Sequence, residues 1–387
     1  MMLGNEFTSA RLRRGEMSLG EKLWQVSWSL VLVILVVGSI GLGMLYSAAN
    51  GSWDPWASRQ ATRFAVGIAL MLAVALTDIR FWMRYAYAFY GVMLVLLVAV
   101  EIKGTIGMGA QRWIDLGFFQ LQPSELMKLA LVLALARYFH GADLEDARRM
   151  SFLIPPVLLV LVPFGLVLRQ PDLGTALMLA AGSGAIAWLV GVRLWIFGLL
   201  LGGGLAAIPV AWQFLHGYQK NRVLTFLNPE RDPLGAGYHI LQSKIALGSG
   251  GMFGKGFMAG TQAHLNFLPE KQTDFIFTMM AEEFGMVGGL VLLSLYVVLI
   301  IYGFAITFRC RHQFGRLVAM GVTMTFFLYV FINIAMVMGL IPVVGVPLPL
   351  ISYGGTAMLT LLLGFGLLLC VFVHRDIQMG RRGSYDD

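Results

Sequence analysis

Apolar positions in this chain come in long unbroken runs, without the alternation of a half-buried strand or the narrow stripe of a surface helix. The runs fall at roughly 26–48, 61–77, 82–102, 123–140, 152–168, 173–191, 194–213, 285–307, 318–340 and 354–373, each near the roughly 17–25 residues that cross a hydrocarbon core. Only helices or closed barrels satisfy every backbone group in lipid. Continuous apolar runs exclude the barrel, whose strands alternate. The expected fold is an all-α polytopic membrane protein of about ten transmembrane helices, with a large extracytoplasmic loop between spans seven and eight. It divides into a tail (residues 1–25), a membrane domain (26–375, with the loop at about 214–284) and a second tail (376–387).

Composition agrees: 58% of the 387 residues are hydrophobic and 13% charged, whereas a soluble domain carries about 25% charged residues. The polar start leads into a run too long for a signal-peptide core, so no cleavable signal is expected. Charge sets the orientation. With the N-terminus cytoplasmic, the inner side collects Arg11, Arg13, Arg14, Lys22, Arg80, Arg84, Arg137, Arg148, Arg149, Arg193, Arg309, Arg311, Arg316, Arg375, Arg381 and Arg382. The short outer loops hold only Arg59, Arg63, Lys103, Arg112 and Arg169, so both termini are expected inside. The net charge of +7 is scattered over membrane-flanking loops, which reads as topology and not as nucleic-acid binding. Cys310 and Cys370 give neither a disulfide framework nor a metal spacing.

The long loop is rich in glycine, proline and polar residues, with phenylalanine, leucine, isoleucine and tyrosine interspersed, a composition that argues for function over disorder. Ionisable residues at the mouths of spans are costly and therefore site candidates. Asp274, where the loop re-enters the membrane, has two readings: a general base for a sugar hydroxyl, or a helix cap together with Thr273. Glu125 and Lys128 lie three apart on one helix face behind Pro123 and Ser124. They are either a site pair or a self-neutralising ion pair. Gln111 and Arg112 offer donors for phosphate oxygens or are ordinary interface residues. Asp172, after Pro171, reads first as an N-cap, with Thr175 one turn on. The run GSGGMFGKG (248–256), with Lys244 and Lys255, is a surface turn or a phosphate cradle. It lacks the P-loop order. The histidines show no metal spacing, and no serine elbow is present.

Taken together, the segments GAQRWIDLG, QPSELMK, QPDLGTA, NPERDPLGAGYH, GSGGMFGKG, FLPEKQTDFIF and PLPLISYGGTAML resemble the SEDS family (shape, elongation, division, sporulation) over about residues 27–375. FGKGFMAGTQAHLNFLPE and GLIPVVGVPLPLISYGGTA resemble its elongation branch more than its division branch. The resemblance implies a glycosyltransferase that polymerises lipid II into β-1,4 glycan strands outside the inner membrane. It implies undecaprenyl-pyrophosphate-linked glycan as donor, membrane lipids as surroundings, and a class B penicillin-binding protein transpeptidase as partner. The family's required aspartate falls on Asp274. Its polar cavity residues fall on Arg112, Gln122, Ser124, Glu125, Lys128, Asp172 and Thr175. Lys244 or Lys255 would join Lys128 and Arg112 in holding pyrophosphate. The family allows a divalent cation (Mg or Mn), but no ligand set for one is readable, and no organic cofactor is expected. An α-linked donor and a β-linked product call for one inverting displacement. Two rivals remain: a lipid II flippase, which needs polar groups through the whole membrane depth, and a non-catalytic scaffold for the cross-linking enzyme.

Overall fold

The computed structural model describes residues 17–107, 110–115, 117, 120–143, 145–214, 217, 220, 224–226, 236–265 and 270–380. The basic residues expected inside at Arg11, Arg13, Arg14, Arg381 and Arg382 lie outside the described residues, as do Arg222, Arg231 and the stretch 228–235 of the loop.

Among the described residues ten long helices correspond one to one with the ten apolar runs. After a short α1 (Leu19–Gln25), opened by a Ser18–Glu21 capping box, they are α2 (Trp28–Ala48), α3 (Ala57–Leu76), α4 (Ile79–Lys103), α5 (Pro123–Phe139), α6 (Met150–Arg169), α7 (Leu173–Val190) and α8 (Leu194–Phe214). The loop contributes α9 (Ala236–Ser249) and α10 (Thr261–His264), and the last three long helices are α11 (Ile276–Arg309), α12 (Gln313–Val337) and α13 (Gly355–Val373). Eight of the ten are long and apolar enough to cross a membrane by themselves; α5 and α8 fall short of that measure among the described residues. For α5 the reason is chemical. It has only 17 residues and carries Glu125, Lys128 and Arg137. Its tolerance of charge comes from burial among neighbours, since Leu129 through Ala136 are all buried in protein and not in lipid.

The bundle is layered by burial. In α12 and α13, 72% and 78% of the most apolar stretch is buried in the protein, against 22% in α6. Helix α13 packs on α3, α5 on α4, and α12 on α5, α7 and α11, so α5 and α12 meet at the centre. Between α4 and α5 the chain forms a small antiparallel sheet, β1 (Thr105–Gly107), β2 (Ala110–Asp115) and β3 (Gln120–Leu121). From sequence alone this segment reads as a plain loop.

A larger departure is at α11. The apolar run beginning at 285 suggested a span starting there, whereas the helix begins at Ile276 and passes through a break at Gly285 (φ 66°, ψ −164°). Its first turns, including Glu282 and Glu283, are buried. A broken helix in this setting must re-satisfy its freed backbone groups. The glycine-rich run does so. Lys255 and Gly256 donate their backbone N–H to the carbonyls of Glu282 and Glu283 (both 3.0 Å), while Met286 and Val287 donate theirs to Gly251 and Met252 (2.9 and 3.1 Å). The glycines permit the approach: a Cβ on Gly254 would overlap the Glu283 carbonyl, and one on Gly285 would overlap the Gly254 amide.

At the opposite end from this break, three buried histidines knit the helix termini. His312 accepts the Gly315 amide at 2.9 Å as the N-cap of α12. His140 accepts the Phe314 amide at 3.1 Å. The His374 ring meets the Cys370 carbonyl at 2.8 Å. Burial, reinforced by the nearby His140, pushes His312 down from 6.5 to about 4; burial lowers His140 and His374 too.

Two outcomes follow. Gly254→Ala and Gly285→Ala each place a side chain at a positive φ against backbone, and each lowers thermal stability in detergent by about 2 kcal/mol or more. Between pH 6.5 and 4 the unfolded chain takes up protons at His312 that the folded chain refuses. Stability therefore falls as pH drops through that window. His312→Asn, which keeps a capping acceptor, flattens part of the slope in a pH series of melting curves.

Candidate functional site

Helix α5 starts abruptly because Pro123 sits at its first position, where no amide is needed. That start fixes Gln122, Ser124, Glu125 and Lys128 at one end of the bundle. Glu125 and Lys128 do pair: the Lys128 ammonium donates to Glu125 Oε1 at 2.7 Å, with side-chain exposures of 2% and 5%. The third member came from far along the chain. Tyr329 of α12 accepts from Lys128 and donates its hydroxyl to Glu125 Oε2. The ammonium also lies 4.2 Å from the Tyr329 ring centroid. The result is a closed triangle in which each of the two charges and the phenol meets the other two.

A second group gathers at the start of α7. Asp172 caps the helix, taking the Thr175 amide at 3.1 Å and the Thr175 hydroxyl at 2.9 Å. Gln122 donates to the same carboxylate at 3.3 Å. Arg112, on β2, donates to the carbonyls of Gln170 (3.0 Å) and Pro171. Its guanidinium stands 4.0 Å from Asp172. The capping reading of Asp172 thus holds, and the cap binds Arg112, Gln122 and Thr175 into one polar wall. Ser124 is buried, and its hydroxyl has no hydrogen-bond partner among the described residues.

Asp274 is different. The N-cap position of α11 is Phe275, whose side chain makes no capping bond, and the Thr273 hydroxyl turns back to the Glu270 carbonyl at 3.2 Å. The Asp274 segment is pinned by backbone contacts. Asn333, one turn beyond Tyr329 on α12, donates to the carbonyls of Asp274 (3.0 Å) and Val346 (2.7 Å). The Ser352 hydroxyl donates to the Thr273 carbonyl at 2.6 Å, and the Tyr353 amide to the Gln272 carbonyl at 2.8 Å. Gln60 of α3 holds the Ser352 carbonyl at 2.9 Å. The carboxylate itself is only partly buried and lies against Gly345. Gly174 in the first turn of α7 packs on Val344 and Val346, either side of that glycine. One segment, 344–346, therefore touches both Asp274 and the helix that Asp172 caps. Lys271, three residues before Asp274, is buried, and burial lowers its pKa.

The structure thus brings together Arg112, Gln122, Ser124, Glu125, Lys128, Asp172, Thr175 and Asp274 through α5, α7, α12 and the 344–353 segment. The loop lysines are placed elsewhere. Lys255 is held by Glu282 at 2.7 Å, and Thr261 and the Gln262 amide share that carboxylate. Lys244 is exposed on α9, beside Ser243, whose hydroxyl is buried against Thr278 and the Val337 carbonyl. Tyr329 and Asn333 were missed in the sequence because they sit in a continuous apolar run. Their spacing of four residues, both polar-tipped on one face, was the available signal.

Removing one partner from the buried triangle strands the other charge, at a cost of about 3–5 kcal/mol. Lys128→Met and Glu125→Gln should each destabilise the protein to that degree. The double variant should lose clearly less than the sum, as a double-mutant cycle of unfolding in detergent would show.

Comparison with known proteins fits this geometry. The family model described as "Cell cycle protein" (FTSW_RODA_SPOVE) matches residues 23–377. The chain is 44% identical over 348 residues to peptidoglycan glycosyltransferase MrdB of Escherichia coli (strain K12), covering 90% of this chain and 94% of that protein. It is 38% identical over 358 residues to the probable peptidoglycan glycosyltransferase FtsW of Trichlorobacter lovleyi, covering 88% and 92%. Among solved structures, a chain of a peptidoglycan synthase complex that coordinates polymerization and crosslinking superposes with a TM-score of 0.78 at 34% identity, covering 90% of this chain and 98% of that one. The rod-shape-determining protein RodA of Thermus thermophilus superposes with a TM-score of 0.68 at 31% identity, covering 91% and 97%. This chain therefore belongs to the FtsW/RodA/SpoVE family, the SEDS proteins, and is a multi-pass membrane protein.

Proposed function

We propose that this protein is a peptidoglycan glycosyltransferase that polymerises lipid II into β-1,4 glycan strands at the outer face of the bacterial inner membrane, with both termini cytoplasmic. The observation that carries the reading is Asp274. It is a partly exposed carboxylate at the membrane mouth, on a backbone pinned by Asn333 and Ser352 and beside a polar wall. A rigid backbone beneath a solvent-reachable carboxylate is what a general base requires. Names of relatives 44% and 38% identical support the activity.

In the proposed reaction the donor is the growing strand, α-linked to undecaprenyl pyrophosphate. Asp274 takes the proton of the acceptor's 4-hydroxyl as that oxygen attacks, and inversion gives the β bond. Pyrophosphate leaves as an anion, so charge neutralisation does more for it than a proton donor. Arg112 receives it at the outer wall, and Lys128 lies deeper. A divalent cation, Mg or Mn, belongs to the proposal as an ion carried by the substrate. Among the described residues no three His, Cys, Asp or Glu side chains converge to hold a metal. Mg keeps several waters and binds largely through substrate phosphates, so the ion would arrive on the pyrophosphate and its contribution would be neutralisation of the leaving group. A class B penicillin-binding protein transpeptidase is the proposed partner, supported by the similarity to a chain of a complex that couples polymerization to crosslinking.

The flippase alternative needs a polar path through the membrane. Beneath Lys128 lies a cavity of about 10 Å³, bounded by Leu131, Val132, Met178 and Leu179 with the hydroxyl residues Ser183 and Thr325. That is room for one water at most. Below it α5 is apolar to Ala136.

The test is polymerisation of labelled lipid II by the detergent-purified protein, alone and with its partner, with and without divalent cation, resolved by gel. Asp274→Asn is expected to lower polymer yield by about 10² or more at unchanged melting temperature. Polymer of normal length and rate from that variant would remove Asp274 from the role of base.

A further inference from the structure

At the end of the bundle away from Asp274, a groove of about 350 Å³ opens between the start of α2 and the last turns of α11. Its floor is Val298, Ile301, Ala305, Ile306 and Phe372. Its mouth is polar, with Ser27 and Ser29, whose hydroxyls lie 3.3 Å apart, and Arg309. We propose that this groove binds one anionic phospholipid of the inner leaflet, with its phosphate at Arg309 and the two serines and one acyl chain along α11.

Three features carry the assignment. First, length: the lining runs from Val298 to Arg309. At about 1.5 Å per residue this spans roughly 16 Å, close to half of a hydrocarbon core of about 30 Å. An acyl chain of one leaflet has that reach. Second, charge: Arg309 is exposed and makes no ion pair or hydrogen bond with any described residue. Its neighbours Arg311 and Arg375 already share Asp376, at 3.4 and 3.5 Å. The surplus at this corner is positive, and a neutral headgroup would leave it uncompensated. Third, depth: Trp24 and Trp28 are exposed beside Ser27, and exposed tryptophans mark the headgroup level. Arg309 at the end of α11 therefore lies where a phosphate lies. The inference uses the orientation proposed above but none of the polymerase chemistry.

Native mass spectrometry of the purified chain with equimolar phosphatidylglycerol and phosphatidylethanolamine of identical acyl chains tests it. The expected result is retention of one phosphatidylglycerol in preference to phosphatidylethanolamine. Arg309→Gln should cut that preference about fivefold, the worth of one basic residue at a membrane surface, and Arg309→Lys should restore most of it. Ala305→Phe, which fills the groove without altering charge, should abolish retention of both lipids. Melting curves of the variants matching the parent show that the fold is intact. Equal retention of the two lipids, or undiminished phosphatidylglycerol on Arg309→Gln, overturns the proposal. So does retention of neither lipid by the parent chain, which would give the groove to another occupant such as a second copy or the chain's own terminal segment.

Discussion

In a hydrocarbon surrounding, any backbone amide, carbonyl or side-chain charge without a partner inside the protein costs several kcal/mol, and the arrangement of this molecule follows from meeting that demand at one place above all, the break in α11. At Gly285 the helix gives up part of its ladder. The run from Gly251 to Gly256 returns it through four hydrogen bonds in both directions. This fixes the loop to the helix and settles where the chain re-enters the bundle. The nine residues before the break stay helical, and all but Phe284 are buried, so the Asp274 turn stands at the rim of a packed helix and not at the end of a slack connection. Lys255, reaching Glu282 at 2.7 Å, neutralises a carboxylate that the same break buries.

The same demand shapes the polar centre. Glu125 and Lys128 occupy a helix whose remaining length is apolar, and such a pair is tolerable only when every strong donor and acceptor is met. Tyr329 meets what the pair leaves over. Because Tyr329 and Asn333 are one turn apart on α12, the helix that closes the triangle also holds the Asp274 carbonyl. A change at Lys128 is therefore mechanically close to the carboxylate at the mouth, through a single buried helix.

Much of this was legible in the sequence because the responsible patterns are local. Run length gave the ten helices; the three-residue spacing gave Glu125 with Lys128; Pro171-Asp172 before an apolar stretch gave the cap. What was not legible depends on partners far apart in the chain. Tyr329 is 204 residues from the Glu125 that it serves, and nothing in an apolar run marks one tyrosine as a ligand. The start of α11 was misplaced because its first turns mix Glu282 and Glu283 into apolar sequence, which reads as loop unless Lys255 and Ser47 are known to face them. The glycine run had two readings from composition, turn or anion cradle. In the fold its amides are taken up by α11, a third use that only the break explains.

Pairing also determines how an anionic leaving group would be received. Lys128 is engaged: it donates to a carboxylate at 2.7 Å and to a phenol, and its side chain is 2% exposed. Arg112 is open by comparison. Its hydrogen bonds go to neutral carbonyls, its side chain is 22% exposed, and the nearest carboxylate is 4.0 Å away. That carboxylate, Asp172, is already answered by the Thr175 amide and hydroxyl at a helix N-terminus, where a negative charge is favoured in its own right. The positive charge at Arg112 is thus the less compensated of the two. On the proposed reading a pyrophosphate entering from the outer side would meet it first, and Lys128 would contribute only by exchanging Glu125 for phosphate. Such an exchange would leave Glu125 with Tyr329 as its remaining partner.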